Sequence, residues 1–219
     1  MSVDEKTVTI PAGERLFLPG ILRRPEDARG LVIFAHGSGS SRLSPRNTSV
    51  AKALESYGLA TLLFDLLTEE EASDRRNVFD ISLLTTRVAA AVRWAREAGD
   101  LADLPVGLFG ASTGAASALA GAAAMPDAVG AVVSRGGRPD LAGEALSEVR
   151  APTLLIVGGR DEVVIDLNEQ ARSKLRCPSE LRIVEGATHL FEEPGTLEEV
   201  VVLAAEWFGT HLKPRSENG

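Results

Sequence analysis

The chain of 219 residues predicts an α/β protein, a mostly parallel sheet with helices on both faces. Three observations lead there. Short runs rich in β-branched residues alternate with longer stretches of helical period. The runs are apolar almost throughout, as strands covered on both faces must be. No linker or internal repeat interrupts the alternation, and the length suits one well-buried domain over 1–219 rather than two.

The elements follow in order. "KTVTI" and "RLFLPGIL" read as an N-terminal strand or hairpin. Strands are then expected at "LVIFAH" (31–36), "ATLLFDLL" (60–67), "VGLFGAS" (106–112), "AVGAVVS" (128–134), "TLLIVGG" (153–159) and "LRIVEG" (181–186). Helices are expected over 46–57, 81–98, 113–124, near 140–148, near 166–175, and over 197–211. The one at 81–98 puts Leu84, Val88, Ala91, Val92 and Ala95 on one stripe, with Arg87, Arg93, Arg96 and Glu97 elsewhere. With right-handed crossovers, function gathers in the loops after the carboxyl ends of the strands.

Composition narrows the classes. With 23 basic and 31 acidic residues the net charge is −8, which argues against nucleic acid and anionic membrane surfaces as partners. The uncharged run Leu104–Pro126 is built from Ala, Gly and Ser, and reads as strand, turn and helix rather than a membrane span. The start, "MSVDEKTVTIP", has no apolar h-region, and Cys177 is the single cysteine, so a cytoplasmic, reducing location is expected. One cysteine and three histidines spread this widely spell no metal spacing, and neither metal nor cofactor is expected.

"LFGASTGAA" (108–116) carries the chemistry. A P-loop reading fails because no lysine lies between Lys52 and Lys174. A dinucleotide reading would use glycines 107, 110 and 114 with Ser134-Arg135 near a 2′-phosphate. The sole tyrosine, Tyr57, lacks the lysine four residues on that a short-chain reductase wants. A nucleophile reading asks for a serine on a tight strand-to-helix turn, crowded enough that the residues two before and two after must be glycine. Gly110 and Gly114 flank Ser112 in this way.

A serine hydroxyl needs a base. Of the histidines, His36 ends an early strand and His211 lies late in the last helix. His189, in "EGATHLFEEPG", alone is downstream of the serine on a loop at the carboxyl edge. The orienting acid is expected between them, and "TLLIVGGRDEVV" supplies Asp161, with Glu162 adjacent and Asp140 a poorer alternative. The order Ser, Asp, His on three different strand ends is the pattern of a catalytic triad. "FAHGSGSSR" offers a flexible turn for an oxyanion hole, with Ser38 N–H expected as one donor and Thr113 N–H as the other. Each such donor is worth about 3 kcal/mol. His36 is expected to brace this loop rather than to act as base.

"HGSGSS", "GASTG", "GGRDEVV" and "ATHLFEEPG" together resemble the α/β-hydrolase superfamily over nearly the whole chain, most closely its dienelactone-hydrolase-like branch. The resemblance implies a sheet of about eight strands and a Ser112-His189-Asp161 triad hydrolysing carboxylic esters or lactones without a cofactor. The branch proper uses a cysteine nucleophile, whereas Ser112 occupies the elbow here. An acyltransferase or amidase with the same triad, and a non-catalytic ligand-binding protein of the same fold, are the alternatives.

About fifteen residues separate Gly137 from Pro152, too few for a cap domain. The pocket is therefore expected to be walled by loops 37–44, 67–78 and 135–141. Their charge predicts small acyl groups, of about two to six carbons. Gly37, Arg42 and Arg135 are candidate substrate-binding residues. A substrate carboxylate could engage an arginine here, but an internal ion pair, with Asp140 or a neighbour of Asp161, is the expected partner of Arg135 and Arg138. The run Glu69-Glu70-Glu71 reads as a solvated loop.

Overall fold

In the computed structural model residues 2–213 are described. Its strands are β1 (Val3–Pro11), β2 (Phe17–Pro25), β3 (Gly30–Ala35), β4 (Leu59–Phe64), β5 (Val106–Ala111), β6 (Val129–Arg135), β7 (Thr153–Gly158) and β8 (Ser179–Val184). They form one sheet in the order β1-β2-β4-β3-β5-β6-β7-β8. The first two make the expected hairpin, β2 meets β4 antiparallel, and every later pairing is parallel. This is the mostly parallel eight-stranded α/β-hydrolase architecture. The single domain expected over 1–219 includes residues 1 and 214–219, which lie outside the described residues.

The apolar runs divide by strand period. Leu31, Ile33 and Ala35 of β3 face one core, and Val32 and Phe34 the other. The first core is closed by α4 (Ile81–Glu97), α5 (Gly114–Ala124) and α6 (Glu162–Lys174). The second is closed by α1 (Pro45–Glu55) and α7 (Thr196–His211), with Phe34 and Phe109 stacked at 4.8 Å between ring centroids. The stripe read on 81–98 is buried as expected, from Leu84 through Ala95.

Two elements depart from expectation. Residues 69–78 form two short helices, α2 (Glu69–Ser73) and α3 (Arg75–Val78), instead of a loop. Thr68 and Glu71 make a reciprocal capping box, and Glu71 also takes an ion pair from the buried Arg87. The acidic run is thus held partly by helix-end chemistry. Helix α6 begins at Glu162, four residues before the expected start, which puts Asp161 at its N-cap position. Between β6 and β7 there is only a 3-10 stretch, Pro139–Glu148, broken at Gly143, and no cap domain. Among the described residues no helix is long and apolar enough to cross a membrane.

Candidate active site

Ser112 stands between β5 and α5 with φ of 52°, one of two non-glycine residues with positive φ among the described residues. That left-handed backbone is costly for a residue with a side chain and persists only where the surroundings impose it. Here they do. A Cβ on Gly110 would lie 2.4 Å from the Ala115 Cα, and one on Gly114 only 2.2 Å from the Ala35 carbonyl oxygen. The serine's own backbone is clamped from the next strand: Ser112 N–H donates to the Arg135 carbonyl at 3.2 Å, and Arg138 N–H donates to the Ser112 carbonyl at 3.0 Å. The two glycines of the motif are therefore clearance for the turn, as the sequence predicts.

His189 sits between β8 and α7, on a loop anchored by the buried Phe191 and by Glu193, whose carboxylate accepts from Thr188 N–H at 3.1 Å. Its Nδ1–H donates to Asp161 Oδ2 at 2.6 Å. Although Asp161 occupies the N-cap position of α6, its side chain makes no cap hydrogen bond. The carboxylate is turned to the imidazole instead, and Nε2 has no hydrogen-bond partner among the described residues. Ser112 and His189 line one cavity together, though no hydrogen bond joins them among the described residues. Such contacts commonly tighten only when substrate is bound.

Gly37 lies directly over the serine: a Cβ there would come 3.0 Å from Ser112 Cβ. The expected oxyanion donor Ser38 N–H is engaged, donating to Thr113 Oγ1 at 2.9 Å. Thr113 N–H has no protein acceptor among the described residues. His36 has both ring nitrogens occupied. Nε2 accepts from Leu66 N–H at 3.1 Å and Nδ1–H donates to the Gly37 carbonyl at 3.0 Å. It ties the loop to the chain after β4 and cannot also serve as a base.

Burial, its largest influence, holds the His36 pKa below the ordinary 6.5, against the backbone of Gly37 and the charge of Asp65. The unfolded chain therefore takes up this proton first as pH falls. The contribution of His36 to stability is complete above about pH 6.5 and is lost as pH drops from there towards the folded value. Denaturant unfolding of the wild type and His36→Gln between pH 5 and 7.5 should show a smaller pH slope in the variant. Equal slopes would remove His36 as a source of that dependence.

The cavity at Ser112 has a volume of about 230 Å³ and is lined by Gly37, Ser40, Arg46, Asn47, Arg135 and Leu190 among others. Arg42 does not line it. Its guanidinium and backbone N–H both bind Asp65, on the far side of the 37–44 loop. Arg138 pairs with Asp140 as expected, at 2.8 Å. Arg135 departs from expectation: it is only 8% exposed and pairs with no carboxylate among the described residues. Behind the 37–44 loop lies a second cavity of about 420 Å³. Leu43, Leu66, Leu67, Ala72, Val78 and Leu84 line it, so the charged 67–78 segment turns an apolar side inward.

Residues 28–200 match the family model described as "Alpha/beta hydrolase domain". The chain belongs to the alpha/beta hydrolase domain family. The structure of a dienelactone hydrolase from Anabaena variabilis is similar at 52% identity and a TM-score of 0.94, over 96% of this chain and 99% of that one. Est1E from Butyrivibrio proteoclasticus shares the fold at 18% identity and a TM-score of 0.78, over 93% of this chain and 98% of its own. Two Mycobacterium tuberculosis proteins, which carry the provisional name phosphoribosyl transferase, are 60% identical over 193 residues. That match covers 88% of this chain and 44% of theirs, so the chain spans less than half the length of these curated relatives.

Within this alpha/beta hydrolase the sequence reading missed Ser44, Arg46 and Asn47 as cavity residues. Ser44-Pro45 is an N-cap followed by proline at the first helical position, and starting α1 there would have placed its first turn on the cavity rim. Cys177 precedes β8, at the opposite edge of the sheet from Ser112, and burial raises its thiol pKa.

Proposed function

We propose that this alpha/beta hydrolase cleaves carboxylic esters, thioesters or lactones of compact acyl groups through a covalent acyl-enzyme. Ser112 Oγ attacks the carbonyl carbon while His189 Nε2 takes the hydroxyl proton. Asp161 fixes the imidazole orientation and stabilises its cation. The oxyanion is held by Thr113 N–H and by Ser38 N–H, once the Thr113 hydroxyl yields that donor to the substrate. His189 then gives its proton to the leaving alkoxide or thiolate, and water repeats the sequence to release the acid. The observation that carries this reading is the strained Ser112, facing the same cavity as an imidazole whose other nitrogen is held by a carboxylate. The phosphoribosyl transfer named for the mycobacterial relatives belongs to proteins more than twice the matched length, and nothing in this site favours it over acyl chemistry.

A serine-directed fluorophosphonate tests the proposal. Stoichiometric labelling at Ser112, with hydrolysis across a panel of acyl esters, lactones and thioesters, is expected. An unlabelled, folded protein would make this a binding protein, and turnover only with an acceptor other than water would make it an acyltransferase. Across p-nitrophenyl esters from acetate to palmitate, kcat/KM should peak at about six carbons or fewer, because the space beside Ser112 is small and polar-lined. A peak at eight carbons or beyond would mean that the apolar cavity behind the 37–44 loop opens to the serine.

A further inference from the structure

The sheet ends at β8 with an open edge. On its inner side β8 is held by β7: Thr153 N–H donates to the Pro178 carbonyl at 2.9 Å, and Gly159 N–H to the Val184 carbonyl at 2.8 Å. In a ladder, alternate residues of a strand turn their peptide groups to the same side. Residues 178, 180, 182 and 184 therefore serve β7, while Ser179, Leu181 and Ile183 turn theirs outward. No strand lies beyond them among the described residues. One hydrogen bond reaches this outward row there, from the exposed Arg172 side chain to the Ser179 carbonyl at 3.2 Å.

Edge strands of soluble proteins are usually blunted by proline, lysine or a bulge. Between Ser179 and Val184 there is none of these. Leu181 and Ile183 are half-buried and belong to neither core. On the other face of the strand Glu180 and Arg182 stand side by side, paired at 2.7 Å. Next to them a cavity of about 210 Å³ lies between β8 and α7, with Leu154, Leu203 and Trp207 in its wall.

We infer that β8 is a self-association edge, on which a second copy of this chain pairs antiparallel about a two-fold axis at Leu181. That register matches every outward group. Leu181 exchanges both backbone hydrogen bonds with its own counterpart, and Ser179 does so with the partner's Ile183. Glu180 then lies directly opposite the partner's Arg182, and Arg182 opposite the partner's Glu180, so the strand is complementary to itself in charge. Centring the axis on Glu180 or on Arg182 would oppose like charges, and moving it further along would shorten the ladder. The opposite edge of the sheet lacks this property. In β1 Glu5 stands between Asp4 and Lys6, so the same pairing would set Glu5 against Glu5. No residue of β8 lines the Ser112 cavity, and the inference is independent of the reaction there.

Sedimentation velocity on the full chain, from micromolar to submillimolar concentration, tests it. The mass should rise with concentration from that of one chain to that of two. Glu180→Arg and Arg182→Glu should each weaken the dimer by about ten-fold or more, because each sets two like-charge pairs across the axis. The double variant Glu180→Arg/Arg182→Glu should restore it, since every opposed pair is again of unlike sign. A monomer at all concentrations overturns the inference. So does a dimer that the single reversals leave unmoved or that the double variant fails to restore. Should a reversal fail to fold, cross-linking decides. In a Cys177→Ser background oxidised with diamide, Leu181→Cys should give a disulfide-linked dimer, because opposed residues lie within disulfide reach. Ser179→Cys should not, because the register holds the two 179 positions four residues apart along the strands. Equal cross-linking through both positions, or through neither, overturns the pairing.

Discussion

Ser112→Ala is expected to lower ester hydrolysis by about a million-fold while leaving the protein folded. The loss follows because the neighbouring candidates are placed for other work: Cys177 lies at the far edge of the sheet, and the hydroxyl of Thr113 accepts from Ser38 N–H. The fold should survive because alanine keeps the same left-handed backbone, and the clamps from Arg135 and Arg138 use only main-chain atoms. Steady-state kinetics, with circular dichroism of both proteins, checks the result. A folded variant retaining more than about a hundredth of the wild-type rate would place the nucleophile elsewhere.

The second large effect is at the base and its acid. His189→Ala should cost nearly as much as Ser112→Ala, and the double variant little more than either, because the two residues act as a unit. Asp161→Asn should lower the rate by about ten thousand-fold, since an amide can hold the imidazole in the wrong tautomer. Asp161 makes no cap hydrogen bond to α6, so its replacement removes a partner of His189 and little else. His36→Ala, by contrast, should weaken the loop it braces without abolishing turnover. If His36→Ala abolished turnover in a folded protein and His189→Ala did not, the base would be misassigned.

Most of the frame could be read from the chain, because its signals are local. The Gly110-Ser112-Gly114 spacing reports a clash within one turn, and the apolar runs report burial on both faces. The parts that escaped depend on residues far apart in sequence. Arg42 and Arg135 look alike in a string of letters. Only the folded chain shows that the first meets the carboxylate of Asp65 and the second an asparagine 88 positions away. The contact of Ser38 N–H with the Thr113 hydroxyl likewise spans 75 positions. Helices α2 and α3 are too short to show a period, yet Thr68 and Glu71 spell a capping box that a search for caps would have found.

The backbone of Ser112 also says something about the history of this chain. At φ of 52° glycine is at ease, whereas serine carries a penalty of about 1–2 kcal/mol. That is a sizeable share of the margin that keeps a domain of this size folded. Drift under selection for stability alone would thus run downhill to glycine at this position, one substitution away and inert. Under the proposed nucleophile role, a serine held there against the gradient is a hydroxyl kept for use.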